Sequence, residues 1–250
     1  MPTDHTAWGL GSVERRSTTD QVLHQLRTAI LGGRIKPTEQ LPEAALAQAF
    51  GTGRSAIREA IRQLVQEGLV VTELNRGARV RAVSTTDLVD VYRARTAIEV
   101  AAVSALLEPP EAFDISELQA AQQRIRDVCC ADAGSEVPSR ELIAADMDFH
   151  RVMVSLAGSP RLSRAHEPLA AESQMLLNWH PVYPVSDYVT DHHKLLQAIE
   201  GRDPAAGDVV REHLALSRDL LIEEANRYAD RVTSAESLVH SSSHTEESLG

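Results

Sequence analysis

Between Gly51 and Val80 the sequence reads Gly51-Thr52-Gly53-Arg54-Ser55-Ala56-Ile57-Arg58-Glu59-Ala60-Ile61-Arg62, then Glu67-Gly68-Leu69-Val70 and Asn75-Arg76-Gly77-Ala78-Arg79-Val80. Two glycines permit a sharp turn, after which Arg54, Arg58 and Arg62 recur every fourth residue and leave one face of a helix. That helix stops at Gly68. Valine-containing runs on either side of Asn75-Arg76-Gly77 predict a β-hairpin with cationic side chains at its tip. Upstream, Val22, Leu26, Ala29 and Ile30 fall at helical spacing and end at Gly32-Gly33. A further helix starts at Leu41-Pro42-Glu43, with Pro42 where its missing N–H costs nothing and Leu46, Ala47 and Phe50 facing inward. Three helices followed by a basic hairpin predict a winged helix-turn-helix over residues 18–83.

A recognition helix in such a unit lays its N-terminal residues against base edges in the major groove. Arg54, Ser55 and Arg58 are therefore the expected base readers, and Arg62, further along, the expected phosphate contact. Arg76, Gly77 and Arg79 extend the strip onto the wing. A bidentate arginine–guanine pair contributes about 1–3 kcal/mol of discrimination, whereas a phosphate contact adds affinity without sequence information. Arginines at this spacing are common on solvated helix faces, so the glycine turn before them and the hairpin after them carry the inference. Glu59 is expected to pair with one of the arginines.

Charge divides the chain in two. Taken over the whole chain, the net charge of -11 opposes a nucleic-acid partner. Residues 1–83, however, hold 11 Lys and Arg against 8 Asp and Glu, while residues 84–250 hold 14 against 28. DNA affinity depends on local positive charge, so a basic N-terminal domain can bind DNA beside an acidic partner domain. The only cysteines, Cys129 and Cys130, are adjacent and cannot build a disulfide framework. No apolar run approaches the roughly 20 residues that span a bilayer, and the first residues lack the pattern of a signal peptide. These features predict a cytoplasmic protein.

From Ser84 onward the pattern is helical throughout. Ser84-Thr85-Thr86-Asp87 reads as a capping box for a helix to Leu107, and amphipathic segments follow at about 114–130, 138–157, 160–179, 185–200 and 204–229. The expected fold is thus mainly α: a winged helix-turn-helix, then an all-α antiparallel bundle of about six helices over residues 84–230. Residues 1–17 are expected to form a flexible arm, and residues 231–250, rich in Ser, His and Glu, a disordered tail.

Within the bundle, Asp146 and His150 stand four apart and share a helix face, while Asp148 points elsewhere. His192 and His213 lie about equally far from the turn at Gly201-Arg202-Asp203-Pro204, so an antiparallel pair of helices brings them to similar height. Three histidines and one carboxylate converging from three helices suit a divalent transition metal, with zinc first and nickel or manganese next, and leave positions for water or a ligand.

Both halves resemble a known family. Leu41-Pro42-Glu43, Leu46-Ala47, Gly51-Thr52-Gly53-Arg54, Ile57-Arg58-Glu59-Ala60-Ile61, Glu67-Gly68-Leu69-Val70 and Asn75-Arg76-Gly77-Ala78 resemble the winged-helix domain of GntR-type bacterial transcription regulators. The family commonly has Val-Ser where this chain has Thr52-Gly53 and Thr-Pro where it has Ser55-Ala56. Arg95-Thr96-Ala97-Ile98-Glu99, Asp146-Met147-Asp148-Phe149-His150, Asp191-His192-His193-Lys194-Leu195-Leu196 and Arg211-Glu212-His213-Leu214 resemble the FadR-like branch, whose second domain is the all-helical FCD ligand domain. The resemblance places the metal ligands on Asp146, His150, His192 and His213, and leaves His193 outside the set. It also implies a small carboxylate effector, for which Arg95 is the candidate partner because its planar fork of donors matches a carboxylate. A helix salt bridge between Arg95 and Glu99 is the simpler use of the same residue. Asn178, Trp179 and Tyr183 are pocket candidates that packing would equally explain. His24, His166 and His180 read as ordinary surface or core residues, and His240 and His244 fall in the tail.

These readings together predict a homodimeric DNA-binding transcription regulator, a repressor in the commoner family behaviour, that senses a small acid at a metal. One module buries only about 600–1,000 Å² against DNA, which favours two half-sites and hence a dimer. Two alternatives stand beside it: a metalloenzyme using the three-histidine, one-aspartate site, and a regulator whose metal is purely structural.

Overall fold

The computed structural model describes residues 17–73, 76–82, 84–108, 114–132, 135, 137–180 and 184–246, with side chains of the last helix described as far as Arg227. The N-terminal domain consists of α1 (Thr18–Leu31), α2 (Glu43–Phe50), α3 (Arg54–Gln66) and an antiparallel hairpin of β1 (Val70–Glu73) and β2 (Gly77–Val80). The second domain consists of α4 (Thr85–Leu107), α5 (Ser116–Ala131), α6 (Arg140–Leu156), α7 (Pro160–Trp179), α8 (Val185–Glu200) and α9 (Ala206–Glu246). The expected winged helix-turn-helix followed by a bundle of six helices is what forms.

Local chemistry sets the boundaries. The α1 and α4 helices each begin with a complete capping box, Ser17 with Asp20 and Ser84 with Asp87, which satisfies two N–H groups that the helix itself leaves orphaned. At the end of α2, Gly51 takes a left-handed conformation with φ of 61°, which lets the chain turn sharply into α3. Pro42 occupies the cap position of α2, one residue earlier than expected. Hairpin register pairs Val70 with Val80 and Glu73 with Gly77. Leu74 and Asn75, at the wing tip, lie outside the described residues, as do residues 1–16 of the expected arm, and Tyr183. The α9 helix extends to Glu246, through most of the segment whose composition predicted a disordered tail. Helix formation there needs only local bonds, which a polar composition does not forbid; His240 and His244 lie beyond the described side chains.

Two apolar cores form, and they are not cleanly divided between the domains. Phe149, Met153, Leu118, Ile125, Leu142 and Ile199 centre the bundle. The winged-helix core gathers Leu26, Ile30, Ile57, Ile61, Leu64, Leu69 and Val80, but also Ala171 and Met175 from α7, with Trp179 packed against it. Polar contacts follow the same seam: Asn178 Nδ2 donates to the Leu31 carbonyl at 2.8 Å, and Glu172 lies 3.5 Å from Arg81. Asn178 and Trp179, considered above as pocket residues, therefore belong to the domain junction. They face α1 because α7 lies between the two domains.

Candidate metal centre and nucleic-acid interface

Amphipathicity builds the α3 surface. Ile57, Ala60, Ile61 and Leu64 are buried, which leaves Arg54, Ser55, Arg58 and Arg62 exposed. Two of the arginines are held by neighbouring carboxylates. Arg58 donates through Nε and Nη2 to Glu43 of α2 at 3.3 and 3.0 Å, and Arg62 donates to Glu59 at 2.8 Å through Nε, as expected for Glu59. The Arg62 and Gln63 hydrogen bonds hold the Glu59 carboxyl down at about 2. On the wing, Arg76 and Arg79 both pair with Glu73, Gly77 has φ of 77°, and Arg79 is only half exposed. A groove lined by Arg58, Arg62, Thr72 and Gly77 runs between α3 and the wing. Of the sequence-predicted DNA residues, Arg58, Arg62 and Gly77 line this groove together, while Arg54 and Ser55 are exposed at the start of α3 and Arg76 on the wing.

The metal candidates converge. Asp146 and His150 come from α6, His192 from α8 and His213 from α9, and one potential ligand atom from each lies within 4.8 Å of all the others. His192 Nε2 is 2.6 Å from Asp146 Oδ1, His150 Nε2 is 3.2 Å from His213 Nε2, and His150 Nε2 is 3.7 Å from Asp146 Oδ1. Ligand atoms around a cation bonded at about 2.0–2.1 Å stand about 3–3.4 Å apart, so this spread brackets what a transition metal needs. Asp148, as expected, is exposed and pairs with Arg151, and His193 turns to Arg126.

Hydrogen bonds on the outer side of two rings set their tautomers. The Tyr188 carbonyl oxygen 2.7 Å from His192 Nδ1 can only accept, so Nδ1 carries a proton and Nε2 is the atom turned to the cluster, 2.6 Å from Asp146 Oδ1. His150 has the same arrangement with the Glu99 carboxylate, 2.8 Å from its Nδ1. Burial lowers the basicity of His150, and burial together with the neighbouring His192 and His150 holds His213 well below the usual imidazole range. Burial alone would raise Asp146, but His192, His150 and His213 bring it down to about 2. A divalent cation takes the carboxylate and the deprotonated ring nitrogens, so its binding would release whatever protons these groups hold.

Arg95 forms the expected ion pair with Glu99, Nε to Oε1 at 2.9 Å, though not as a surface salt bridge: the two side chains are 1% and 0% exposed. That contact uses one edge of the guanidinium. Nη2 is buried without a hydrogen-bond partner, and Arg95 lines a cavity together with all four candidate ligands, Leu177 and Ser217. The cavity offers about 10 Å³ to the centre of a water-sized sphere, room for roughly one water. Sequence reasoning missed the rest of this cluster: Glu99 also accepts from His166 Nε2 at 2.9 Å. The opposing effect of Arg95, His150 and His166 outweighs burial and holds the Glu99 carboxyl well below its ordinary range. Nothing local to His166 announces a partner 67 residues away. Among the described helices none is long and apolar enough to cross a membrane.

Comparison with known proteins bears on both domains. Residues 18–80 match the profile of bacterial regulatory proteins of the gntR family, and residues 90–216 match the FCD domain. The HTH-type transcriptional repressor GlaR of Escherichia coli K12 is 30% identical over 197 residues, covering 76% of this chain and 89% of GlaR. A protein of Paenarthrobacter nicotinovorans named "Probable D-xylose utilization operon transcriptional repressor" is 27% identical, over 82% of this chain and 90% of its own. Among solved structures, a GntR transcriptional regulator from Rhodococcus sp. RHA1 superposes with a TM-score of 0.72 at 25% identity, covering 82% of this chain and 97% of that one. Escherichia coli McbR/YncC shares the fold, with a TM-score of 0.65 at 20% identity over 81% of this chain and 98% of its own.

Proposed function

Since the chain belongs to the GntR family of bacterial regulatory proteins, with an FCD domain behind its winged helix, and is a DNA-binding transcription regulator rather than an enzyme, we propose a homodimeric repressor that senses a small carboxylate at a metal. Arg54, Ser55 and Arg58 read bases, and Arg62, Arg76 and Gly77 hold the backbone. Asp146, His150, His192 and His213 hold one divalent transition metal, zinc before nickel or manganese. Arg95 receives the carboxylate.

The observation that carries the sensor reading is the shared cavity. Four ligand atoms converge there with the Nε2 atoms of His150 and His192 turned inward, and Arg95, whose buried Nη2 has no hydrogen-bond partner, lines the same cavity. Leaving such a donor unpaired costs about 1–3 kcal/mol, more for a charged group, and an anionic oxygen relieves that cost. A bound metal supplies a Lewis-acidic position to which a carboxylate oxygen can bind. Around it, Arg95 orients the second oxygen, and Leu177 and Ser217 close off water.

With room for about one water, the cavity admits a carboxylate only if α7 or α9, which carry Leu177 and Ser217, shift outward. The α7 helix also packs into the winged-helix core. An effector that favours one placement of α7 thereby favours one placement of the DNA-binding domains, and that difference in affinity is the energetic content of the switch.

Native mass spectrometry of the purified protein beside His192→Ala tests the proposal. A dimer with one divalent metal per chain, absent from the variant, supports it. A folded wild-type protein that takes up no zinc, nickel or manganese overturns the sensor half.

A further inference from the structure

Glu99 sits at the centre of a fully buried cluster that the regulator's DNA face and metal ligands do not by themselves require. Its side chain is 0% exposed, and it accepts three hydrogen bonds: Oε1 from Arg95 Nε at 2.9 Å and from His166 Nε2 at 2.9 Å, and Oε2 from His150 Nδ1 at 2.8 Å. The four residues belong to α4, α6 and α7. A buried carboxylate with one donor would be costly, whereas three donors, one of them cationic, make the ionised form the stable one.

We infer that Glu99 is a positioning residue for the metal centre: its Oε2 fixes the His150 ring and holds the proton on Nδ1, so that Nε2 faces Asp146, His192 and His213. Arg95 and His166 hold Glu99 from the opposite oxygen, so the carboxylate cannot rotate away. The inference rests on the metal-sensor reading and deepens it. Of the two imidazoles with an outer acceptor, His192 leans on a backbone carbonyl within its own helix, four residues earlier. His150 alone among these two depends on a side chain from another helix, so its orientation can be lost without breaking α6. Outer partners of this kind typically change metal affinity by about 10- to 100-fold when removed. Because Arg95 shares the same carboxylate, Glu99 also fixes which edge of the guanidinium faces the cavity.

Zinc affinity of the full-length protein, measured by competition with a chromophoric chelator, and the ligand-field spectrum of the cobalt form test this in Glu99→Gln. Binding weakened by about 10- to 100-fold with an altered cobalt spectrum and unchanged circular dichroism is expected, while His193→Ala should match wild type. Glu99→Gln with wild-type zinc affinity and cobalt spectrum would overturn the inference. Should Glu99→Gln fail to fold, nitrogen-15 spectra of histidine-labelled, metal-free wild type decide: His150 must show a protonated Nδ1 and a bare Nε2, and the opposite tautomer sinks the idea. Wild-type protein that binds no zinc yet shows that tautomer removes the metal reading while leaving the positioning contact intact.

Discussion

Arg81 and Glu172 meet across the two domains, Nη1 of the arginine 3.5 Å from Oε2 of the glutamate. Arg81 lies between the wing and α4, where its Nη2 also reaches Asp87 in the α4 capping box at 3.3 Å. Glu172 stands midway along α7 and is nearly buried. Gly68, with φ of 76°, passes so close that an added Cβ would stand 2.9 Å from Glu172 Oε1. One ion pair therefore ties the linker, the turn after α3 and α7 together.

Burial raises the Glu172 carboxyl above the ordinary range; Arg81 opposes the rise and Asp87 adds to it. A group whose folded value is raised stabilises the fold fully below its unfolded value, about 4.3 for Glu, and loses that contribution as pH climbs through the folded value. Wild type should therefore gain melting temperature relative to Glu172→Gln as pH falls from neutral toward 5. At neutral pH the substitution should cost about 1 kcal/mol or less, since Gln retains a hydrogen-bond acceptor for Arg81. Parallel melting curves for the two proteins across that range would remove Glu172 as the source.

Arg58 is already engaged by Glu43, so DNA must compete with a carboxylate for it. Arg58→Ala should weaken binding to the preferred operator, obtained by in vitro selection with wild type, by about 1–3 kcal/mol and relax the sequence preference. Arg62→Ala should weaken all duplexes about equally and lower the salt dependence by about one counterion. Glu43→Ala releases Arg58 and should tighten binding to arbitrary duplex. Fluorescence anisotropy at several salt concentrations separates the cases, and an Arg58→Ala protein with undiminished discrimination would move base reading elsewhere on α3.

Much of this was legible in the chain because it is periodic. The α3 arginine face and the Asp146, His150 pair follow from 3.6 residues per turn, and the Ser84, Asp87 box declares the start of α4 with neighbours three apart. The Glu99 cluster was not legible. His166 and His150 reach Glu99 over 67 and 51 residues, and which buried histidine meets which acid depends on how α4, α6 and α7 cross. Asn178 and Trp179 illustrate the same limit: their positions near the end of α7 are plain, but the face that meets α1 is a tertiary fact. The sequence puts Arg58 on the DNA face and gives no sign of Glu43, because a partner 15 residues away on another helix leaves no local signature.

Metal removal distinguishes a sensory from a structural ion. Zinc at 100 times its dissociation constant should stabilise the folded protein by about 2.7 kcal/mol, because the converged ligand set exists only in the fold. Domains of this size shift by about 2–4 °C per kcal/mol. Dialysis against chelator should then lower the melting temperature by several degrees and leave the helical circular dichroism in place. Asp146→Ala should stay folded, show no zinc-dependent shift and still bind DNA. A variant that loses its helical signal would instead assign the ion a structural role.

Met175 is fully buried, belongs to the bundle by chain position and packs in the winged-helix core. Met175→Ala should cost about 2–5 kcal/mol, the usual range for a buried methionine truncated to alanine. The informative readout is where the loss appears. Hydrogen exchange should speed up in α1 and α3, more than 100 residues away in sequence, as well as in α7. Phe149→Ala, equally buried in the other core, should speed exchange chiefly in the bundle. If α1 and α3 keep their protection in Met175→Ala, the two domains do not share a core in solution, and α7 cannot carry a signal from the metal centre to the DNA-binding domain by packing.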